Sequence, residues 1–535
     1  MKVGVVGATG FVGRHVALRL QYRGHEVVAL VRSAEKATRL LGDTVEIREW
    51  LPQTMGSEGA TGRQSSSPSS SRSQSALEGL DAVVNVAGSP LVGKRWSRSV
   101  LEEAEASRPV LTSALVGEIA SLEGRPKVFV SASAVGYYGD RGAETIDESA
   151  PKGEGYLADL CARWEDAALR AAELGVRVVV PRLGVVLGRF GGALEPLEFS
   201  ARLGIKARPP WPETCVSWVH VDDMADAICK CLVDESLEGP LNVAAPNPVT
   251  YDKLFRSVAE RVGPATKLPL AVPRTVARLV LAGGEEPLQG GQAAMPAVLE
   301  AHGFDCRYPT LDEALRDLYE SVDAVTESGV RLGDVAESLL EEAGGLEGSD
   351  LLSDPSFGCT SSTKGVFVNS HVAVQADVAD VARFHGNPVN LGVLMPPRLR
   401  FAVVSVVPRD DGCEVTYESG LGFIANQYKG RIFGFDETKG FYDRSERPSS
   451  IRWLHRHRFI EGSVYSVGNA SRDEGNGGKA ESAASTIVSD DLWFTVPTVE
   501  ALGSLYAFIA RQLFEHRGLI LKTRFGTPSG GQKPG

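Results

Sequence analysis

Residues 3–13 read Val3-Gly4-Val5-Val6-Gly7-Ala8-Thr9-Gly10-Phe11-Val12-Gly13. An apolar strand runs directly into a glycine-spaced turn, and a helical pattern, 11–23, follows. That order is the one a dinucleotide-binding turn requires. Gly7 permits the tight turn, Gly10 lets backbone approach a pyrophosphate, and Gly13 lets the helix pack closely on the sheet. The helix N-terminus, with Thr9, Phe11 and Val12 around it, favours the phosphate charge.

Working outward, short apolar runs at 3–6, 26–31, 81–86, 127–131 and 176–180 alternate with helical patterns at 11–23, 101–120 and 157–174. This alternation predicts an α/β fold with a doubly wound, Rossmann-like parallel sheet buried on both faces. The end of the second strand discriminates between cofactors. An acidic residue there would accept from ribose hydroxyls, but the chain has Leu30-Val31-Arg32-Ser33. Arg32 and Ser33 suit a 2′-phosphate, which predicts NADP(H) in preference to NAD(H). Small residues at Val86-Ala87-Gly88 let backbone lie against the adenine–ribose half of the cofactor. Ser131-Ala132-Ser133 places hydroxyls at a strand C-terminus, where open α/β sheets bind ligands.

Composition bounds the function. The chain has 535 residues, 56 Lys+Arg and 68 Asp+Glu, and a net charge of −12. An acidic chain of this kind is not expected to bind nucleic acid through phosphate contacts. No apolar run is long enough for a membrane-spanning helix. Seven cysteines at irregular spacing fit reduced thiols. The N-terminus shows no targeting pattern, so the expected location is cytoplasmic, with an organelle as the alternative if the sequence is truncated at its start.

The motifs NVAGSPLVGKRW (85–96), SRPVLTSAL (107–115), SASAVGYYG (131–139), WEDAA (164–168), PRLGVVLGRFGGAL (181–194), SWVHVDDMADAI (217–228) and GFDCRYPTLDEAL (303–315) occur in order. With the glycine turn they resemble an atypical extended short-chain dehydrogenase/reductase of the epimerase-like subfamily, within the NAD-dependent epimerase/dehydratase family. The resemblance implies a nucleotide-binding domain over 1–245 and a C-terminal segment of the DUF1731 type over 246–320. It implies cofactor contacts from Glu103, Arg108 and Val186, and a catalytic role for Ser133. It also exposes a departure. Active members use a Tyr-x-x-x-Lys pair, with Tyr as general acid/base. Here Tyr156 faces Leu160 in one register, and Leu157 faces Cys161 in the neighbouring one. Neither register supplies Lys. Tyr156 is the remaining tyrosine candidate for catalysis, against a packing role. His220 with Asp222 and Asp223 reads as a helix start, with Asp as the cap.

Residues 56–76 and 469–487 are Ser/Gly-rich and predict solvated insertions, and 321–364 predicts an inter-domain linker. Strand-like segments at 367–377, 399–408, 412–420, 426–435 and 450–467 precede a helical pattern at 498–517, with Thr498 as N-cap. Residues 365–525 resemble a START-like, polyketide-cyclase-like (SRPBCC) helix-grip domain, an α+β fold. The carrying segments are 384–387, 394–397, 440–443 and 453–459. The resemblance implies an apolar cavity for a hydrophobic ligand. Period-two spacing puts Trp453, His455, His457 and Phe459 on one face. Two histidines without a third ligand predict no metal. Two functional readings stand open. One is an NADP(H)-dependent, epimerase-like oxidoreductase acting on a small molecule and fused to a ligand-binding domain. The other is a non-catalytic NADP(H)-binding regulatory or scaffold protein.

Overall fold

The computed structural model describes residues 1–42, 45–52, 75–91, 94, 96–202, 213–262, 291–320, 323–332, 363–387, 390–395, 399–409, 412–421, 424–436, 440–446, 452–463, 484–495 and 503–526. The chain divides into two compact units. One comprises Met1–Ala37 and Thr44–Tyr319, the other Thr38–Asp43 and Glu320–Gly535.

The first unit is built on a parallel sheet. Its strands are β1 (Lys2–Val6), β2 (Glu26–Val31), β3 (Glu46–Glu49), β4 (Ala82–Asn85), β5 (Val128–Ser131), β6 (Arg177–Leu183) and β7 (Gly239–Val243). They lie in the order β7-β6-β5-β4-β1-β2-β3, and every pairing is parallel. The strands carry near-continuous Val, Ala and Leu because helices cover both faces. Val3, Val5, Val83, Val84, Phe129 and Val180 are completely buried. Each such side chain stabilises the fold by roughly 1.5–3 kcal/mol relative to exposure. The strand order reverses between β1 and β4. A crevice at that point is where this architecture binds ligands.

Helix α1 (Phe11–Tyr22) starts at the glycine turn. The helix expected over 101–120 is interrupted. A helix at Arg98–Glu105 passes through a wider π-type turn, Ala106–Val110, before α2 (Leu111–Ser121). Pro109 lies inside that turn; it has no N–H to give to a regular helical ladder. Helix α3 (Tyr156–Leu169) ends in a tighter 3-10 turn, Arg170–Leu174. Helix α4 (Val221–Val233) follows the short strand Trp218–His220.

The second unit is an eight-stranded antiparallel sheet. Its strands are β8 (Asp323–Arg331), β9 (Lys364–Val374), β10 (Leu399–Arg409), β11 (Gly412–Leu421), β12 (Ile424–Asp436), β13 (Gly440–Glu446), β14 (Arg452–Ser463) and β15 (Ala484–Thr495). They lie in the order β8-β9-β15-β14-β13-β12-β11-β10. Helix α5 (Val378–Gly386) follows β9, and α6 (Gly503–Phe525) closes the chain. Helix α6 packs on β8 and β9. Phe514 and Leu513 join Val368, Trp453, Tyr417 and Tyr428 in one apolar cluster.

Three expectations are corrected here. The segment 323–331, read as the start of a linker, is strand β8, hydrogen-bonded antiparallel to β9. Its partner lies far along the chain, so nothing local marks it as a strand. Residues 484–487, read as the end of an insertion, begin β15. The last helix runs to Phe525 rather than 517. The remainder of the expected linker (333–362), most of both insertions (56–74 and 469–483) and Thr498 lie outside the described residues.

Candidate active site

The glycine turn forms as its residue types require. Gly7 has φ +87°, a backbone region that side chains rarely adopt. A Cβ on Gly13 would lie 2.1 Å from the Gly7 carbonyl oxygen, and one on Gly7 would lie 2.8 Å from the Ala87 amide. The turn therefore rests directly on the segment after β4, which brings Gly7, Val86 and Ala87 together across the switch point. The Gly10 amide donates to the Gly7 carbonyl at 2.9 Å. The first-turn amides of α1, Phe11 to Gly13, have no carbonyl one turn back to donate to. Among the described residues no side chain caps this end, so the dipole and free donors are left for an anion.

Phe11 is half-buried, and Gly188, Gly191 and Gly192 close over its ring; a Cβ on any of them would come within 2.5–2.8 Å of it. Val186, in the short strand Val185–Leu187, has its carbonyl in the same group of contacts, near Gly192. Thr9 and Val12 are half-buried at the turn. Arg32 and Ser33 stand exposed beyond β2. The Ser33 hydroxyl accepts from the Lys36 amide at 3.3 Å, which starts the following helix. Arg32 makes no hydrogen bond or ion pair with the described residues. The donor set fits a nucleotide phosphate: a cradle that a Cβ would fill, a free helix N-terminus and a free guanidinium beyond the second strand.

Arg108 lies against Gly88; a Cβ there would be 3.1 Å from Nη2. Its guanidinium donates to the Ser89 carbonyl at 2.9 Å and sits over the Trp164 ring. Glu103 points elsewhere, into an exposed ion pair with Lys94 at 3.2 Å.

Ser133 is buried, and the chain pairing places it beside Arg182 on β6. Its hydroxyl donates to Glu165 Oε1 at 2.6 Å. Glu165 in turn receives Arg182 in a two-pronged contact, Nε at 2.9 Å and Nη2 at 2.8 Å. Arg182 also donates to the Tyr138 hydroxyl at 2.9 Å, and that hydroxyl donates to Asn242 at 2.8 Å. The Tyr137 ring lies 3.6 Å from the same guanidinium. Burial disfavours the Arg182 charge, but the hydrogen bonds and charge of Glu165 outweigh it and hold its pKa above the usual range. Every polar group in this set is matched, which is the condition for placing charges inside a protein.

The register of α3 is resolved by Gly136. Leu157 and the Cys161 thiol are the side chains nearest it, at 3.6 and 3.8 Å from a Cβ built there. The residue pair facing the strand end is thus Leu157 and Cys161. Burial, then the Glu165 charge, push the Cys161 thiol up to about 11. Tyr156 turns the other way. Its hydroxyl donates to the Leu101 carbonyl at 3.3 Å and its ring meets Trp96 edge-on. Burial and the nearby Glu105 push that hydroxyl above its usual range, which is unfavourable for a proton donor–acceptor at neutral pH.

Glu165 and Arg182 were not singled out from sequence as site residues. The signals were present, since WEDAA and PRLGVVLG contain them, but their pairing depends on a helix and a strand meeting. The His220 cluster is structural, with one correction. His220 itself caps α4, its Nδ1 accepting from the Asp222 amide at 3.1 Å. Asp223 accepts from the Arg307 and Tyr308 amides at 2.9 and 3.0 Å. Asp222 pairs with the fully buried Arg19 at 3.3 Å.

Residues 3–244 match the family model described as the NAD dependent epimerase/dehydratase family, and 272–318 match DUF1731, a domain of unknown function. The "Epimerase family protein SDR39U1 homolog, chloroplastic" of Arabidopsis thaliana is 34% identical over 326 residues, covering 60% of this chain and 87% of its own. An epimerase family protein of Mycobacterium leprae is 33% identical over 316 residues, covering 58% and 94%. The crystal structure of human epimerase family protein SDR39U1 (isoform 2) with NADPH is 28% identical, covers 60% of this chain and 99% of that one, and has a TM-score of 0.48. Among the described residues no helix is long and apolar enough to cross a membrane. Through residues 3–318, the chain belongs to the NAD dependent epimerase/dehydratase family.

Proposed function

We propose that the first unit binds NADP(H) in preference to NAD(H) and acts as an epimerase-type oxidoreductase on a small hydroxyl- or carbonyl-bearing molecule. The observation that carries this reading is the empty-handed Arg32 at the end of β2, in line with a glycine turn open to phosphate. Bound there, the cofactor supplies hydride exchange at its nicotinamide. The chain's own residues bind and orient. Amides of the first turn of α1 hold the pyrophosphate, and Arg32 with Ser33 holds the 2′-phosphate. The Val86–Gly88 backbone, Val186 and Arg108 line the rest, with Glu103 at the rim. The Ser133 hydroxyl donates its hydrogen bond to Glu165, so its oxygen keeps lone pairs to accept from a substrate hydroxyl. Arg182 holds Glu165 in place along two hydrogen bonds, which makes Ser133 an orienting group. Tyr156 is the second catalytic candidate.

A non-catalytic NADP(H)-binding role is favoured by one observation: Leu157 and Cys161 stand where a proton-transferring pair would face the strand end. Turnover separates the two readings. NADPH oxidation is followed across a panel of carbonyl compounds and nucleotide sugars, with Ser133→Ala alongside. Turnover that Ser133→Ala lowers at least tenfold supports the enzyme; tight binding without turnover across the panel supports the second role.

We read the second unit as a START-like helix-grip domain for a hydrophobic ligand, on its strand order and on Phe514 and Leu513 of α6 packing against the sheet. The free cysteines among the described residues suit a reducing compartment, the cytoplasm by our reading.

A further inference from the structure

The antiparallel register of the second unit gathers a cluster that neither cofactor binding nor apolar-ligand binding uses. Asp443 on β13 lies directly across from His455 on β14. Asp490 on β15 lies directly across from His457. His455 and His457, two apart, share one face. One carboxylate oxygen, Asp443 Oδ2, then meets two ring nitrogens, His457 Nε2 at 2.9 Å and His455 Nδ1 at 3.1 Å. The three atoms all lie within 4.8 Å of one another.

We propose that Asp443, His455 and His457 bind one divalent first-row transition ion. Three lone-pair donors converging on one point are a donor set that a first-row transition ion takes. A tetrahedral ion with bonds of about 2.0–2.1 Å holds neighbouring ligand atoms about 3.3 Å apart, so the two spacings to Asp443 Oδ2 need only a small outward shift. The surroundings are those that orient metal-bound imidazoles. His457 Nδ1 faces Asp490 Oδ1 at 2.8 Å, and Arg517 pairs with the same carboxylate at 3.3 Å. His455 Nε2 is 3.5 Å from Asp490. The other oxygen of Asp443 accepts from Trp453 Nε1 at 2.6 Å. Arg517 donates to His385 Nε2 at 2.8 Å, its Nη2 lies 2.7 Å from His457 Nδ1, and its ion pair is with Asp490. The His455 and His457 side chains are 9% and 2% exposed, whereas that of Asp443 is 23% exposed, which leaves a way in beside the carboxylate. Two imidazoles and one carboxylate leave coordination positions free for an oxygen-donor ligand.

The test uses the full chain, stripped with chelator and titrated separately with Zn(II) and Co(II). The expected result is one ion bound per chain. X-ray absorption at the zinc edge should show two imidazoles and an oxygen ligand. Asp443→Asn and His457→Gln should each weaken Co(II) binding at least tenfold, while His302→Gln in the first unit leaves it unchanged. Absence of stoichiometric binding overturns the proposal, as does binding that both cluster variants retain. In either case the cluster is a hydrogen-bonded network closed by protons. Should a variant fail to fold, the wild-type absorption spectrum decides, since a coordination shell without two imidazoles also overturns it.

Discussion

The two units each bury a cluster of charged groups, and the clusters differ in what faces their carboxylates. In the first unit Glu165 meets one fixed cation, Arg182, along two hydrogen bonds, and Ser133 and Tyr138 fill the remaining positions. Nothing is missing, so the set holds a geometry. In the second unit Asp443 and Asp490 crowd around His457, and a single carboxylate oxygen serves two ring nitrogens. There the carboxylates meet imidazoles and, at Asp490, the Arg517 guanidinium. Buried charge therefore takes two forms in one chain: a closed ion pair beside a strand-end hydroxyl, and a carboxylate–imidazole cluster that we propose as a cation site.

The largest effect tests the closed set. Glu165→Ala leaves Arg182 buried without its carboxylate, and the expected cost is about 3–5 kcal/mol of stability, read as a fall in denaturant midpoint for the first unit. Asp443→Asn should cost the second unit less, because the Asp443 side chain is 23% exposed and that of Glu165 only 5%. Equal costs would remove the distinction.

Gly13→Ala comes next. Its Cβ would sit 2.1 Å from the Gly7 carbonyl, so helix and turn must part. Overpacking of this kind costs about 1–3 kcal/mol, and nucleotide affinity should drop at least tenfold by fluorescence titration.

Acidification sharpens the comparison inside the first unit. Burial holds His15 of α1 neutral, its pKa lowered to about 3. The unfolded chain takes up that proton near pH 6.5, so the unfolded state binds more protons between 6.5 and 3. Stability present above pH 6.5 is lost as pH falls through this window, by about 1.4 kcal/mol per pH unit. Urea unfolding of wild type and His15→Gln at pH 7 and pH 5.5 should show a smaller loss in the variant. The smallest effect belongs to Tyr156→Phe. Removing a half-exposed hydroxyl bonded to a carbonyl at 3.3 Å should cost under about 1 kcal/mol. The pH profile of turnover decides its role: a lost or shifted profile makes Tyr156 the proton donor, and an unchanged one makes it a packing residue.

What the sequence made legible follows from range. The glycine turn, Arg32 and the Val86–Gly88 segment are local, each carried by a few adjacent residues beside a strand, and the parallel sheet follows from uninterrupted apolar runs. The Ser133–Glu165–Arg182 set was not legible, because its members come from three elements that meet only in the fold. The register of α3 was left open between Tyr156 and Leu157, since both suit a helix, and packing against Gly136 selects Leu157. Asp443 was the least visible. Histidines two apart can be read from spacing, but the carboxylate beside them depends on which strand pairs with β14. Strand β8 was hidden in the same way, its ladder being supplied by a distant partner.

The most direct test of the account is titration of the purified chain with NADPH and with NADH, followed by fluorescence, beside Arg32→Ala. A guanidinium–phosphate contact is worth about 1.5–3 kcal/mol. NADPH should therefore bind tenfold or more tighter than NADH, and Arg32→Ala should abolish that preference while leaving NADH affinity unchanged. Equal affinity for the two nucleotides in the wild type, or no binding of either at millimolar concentration, would contradict the account.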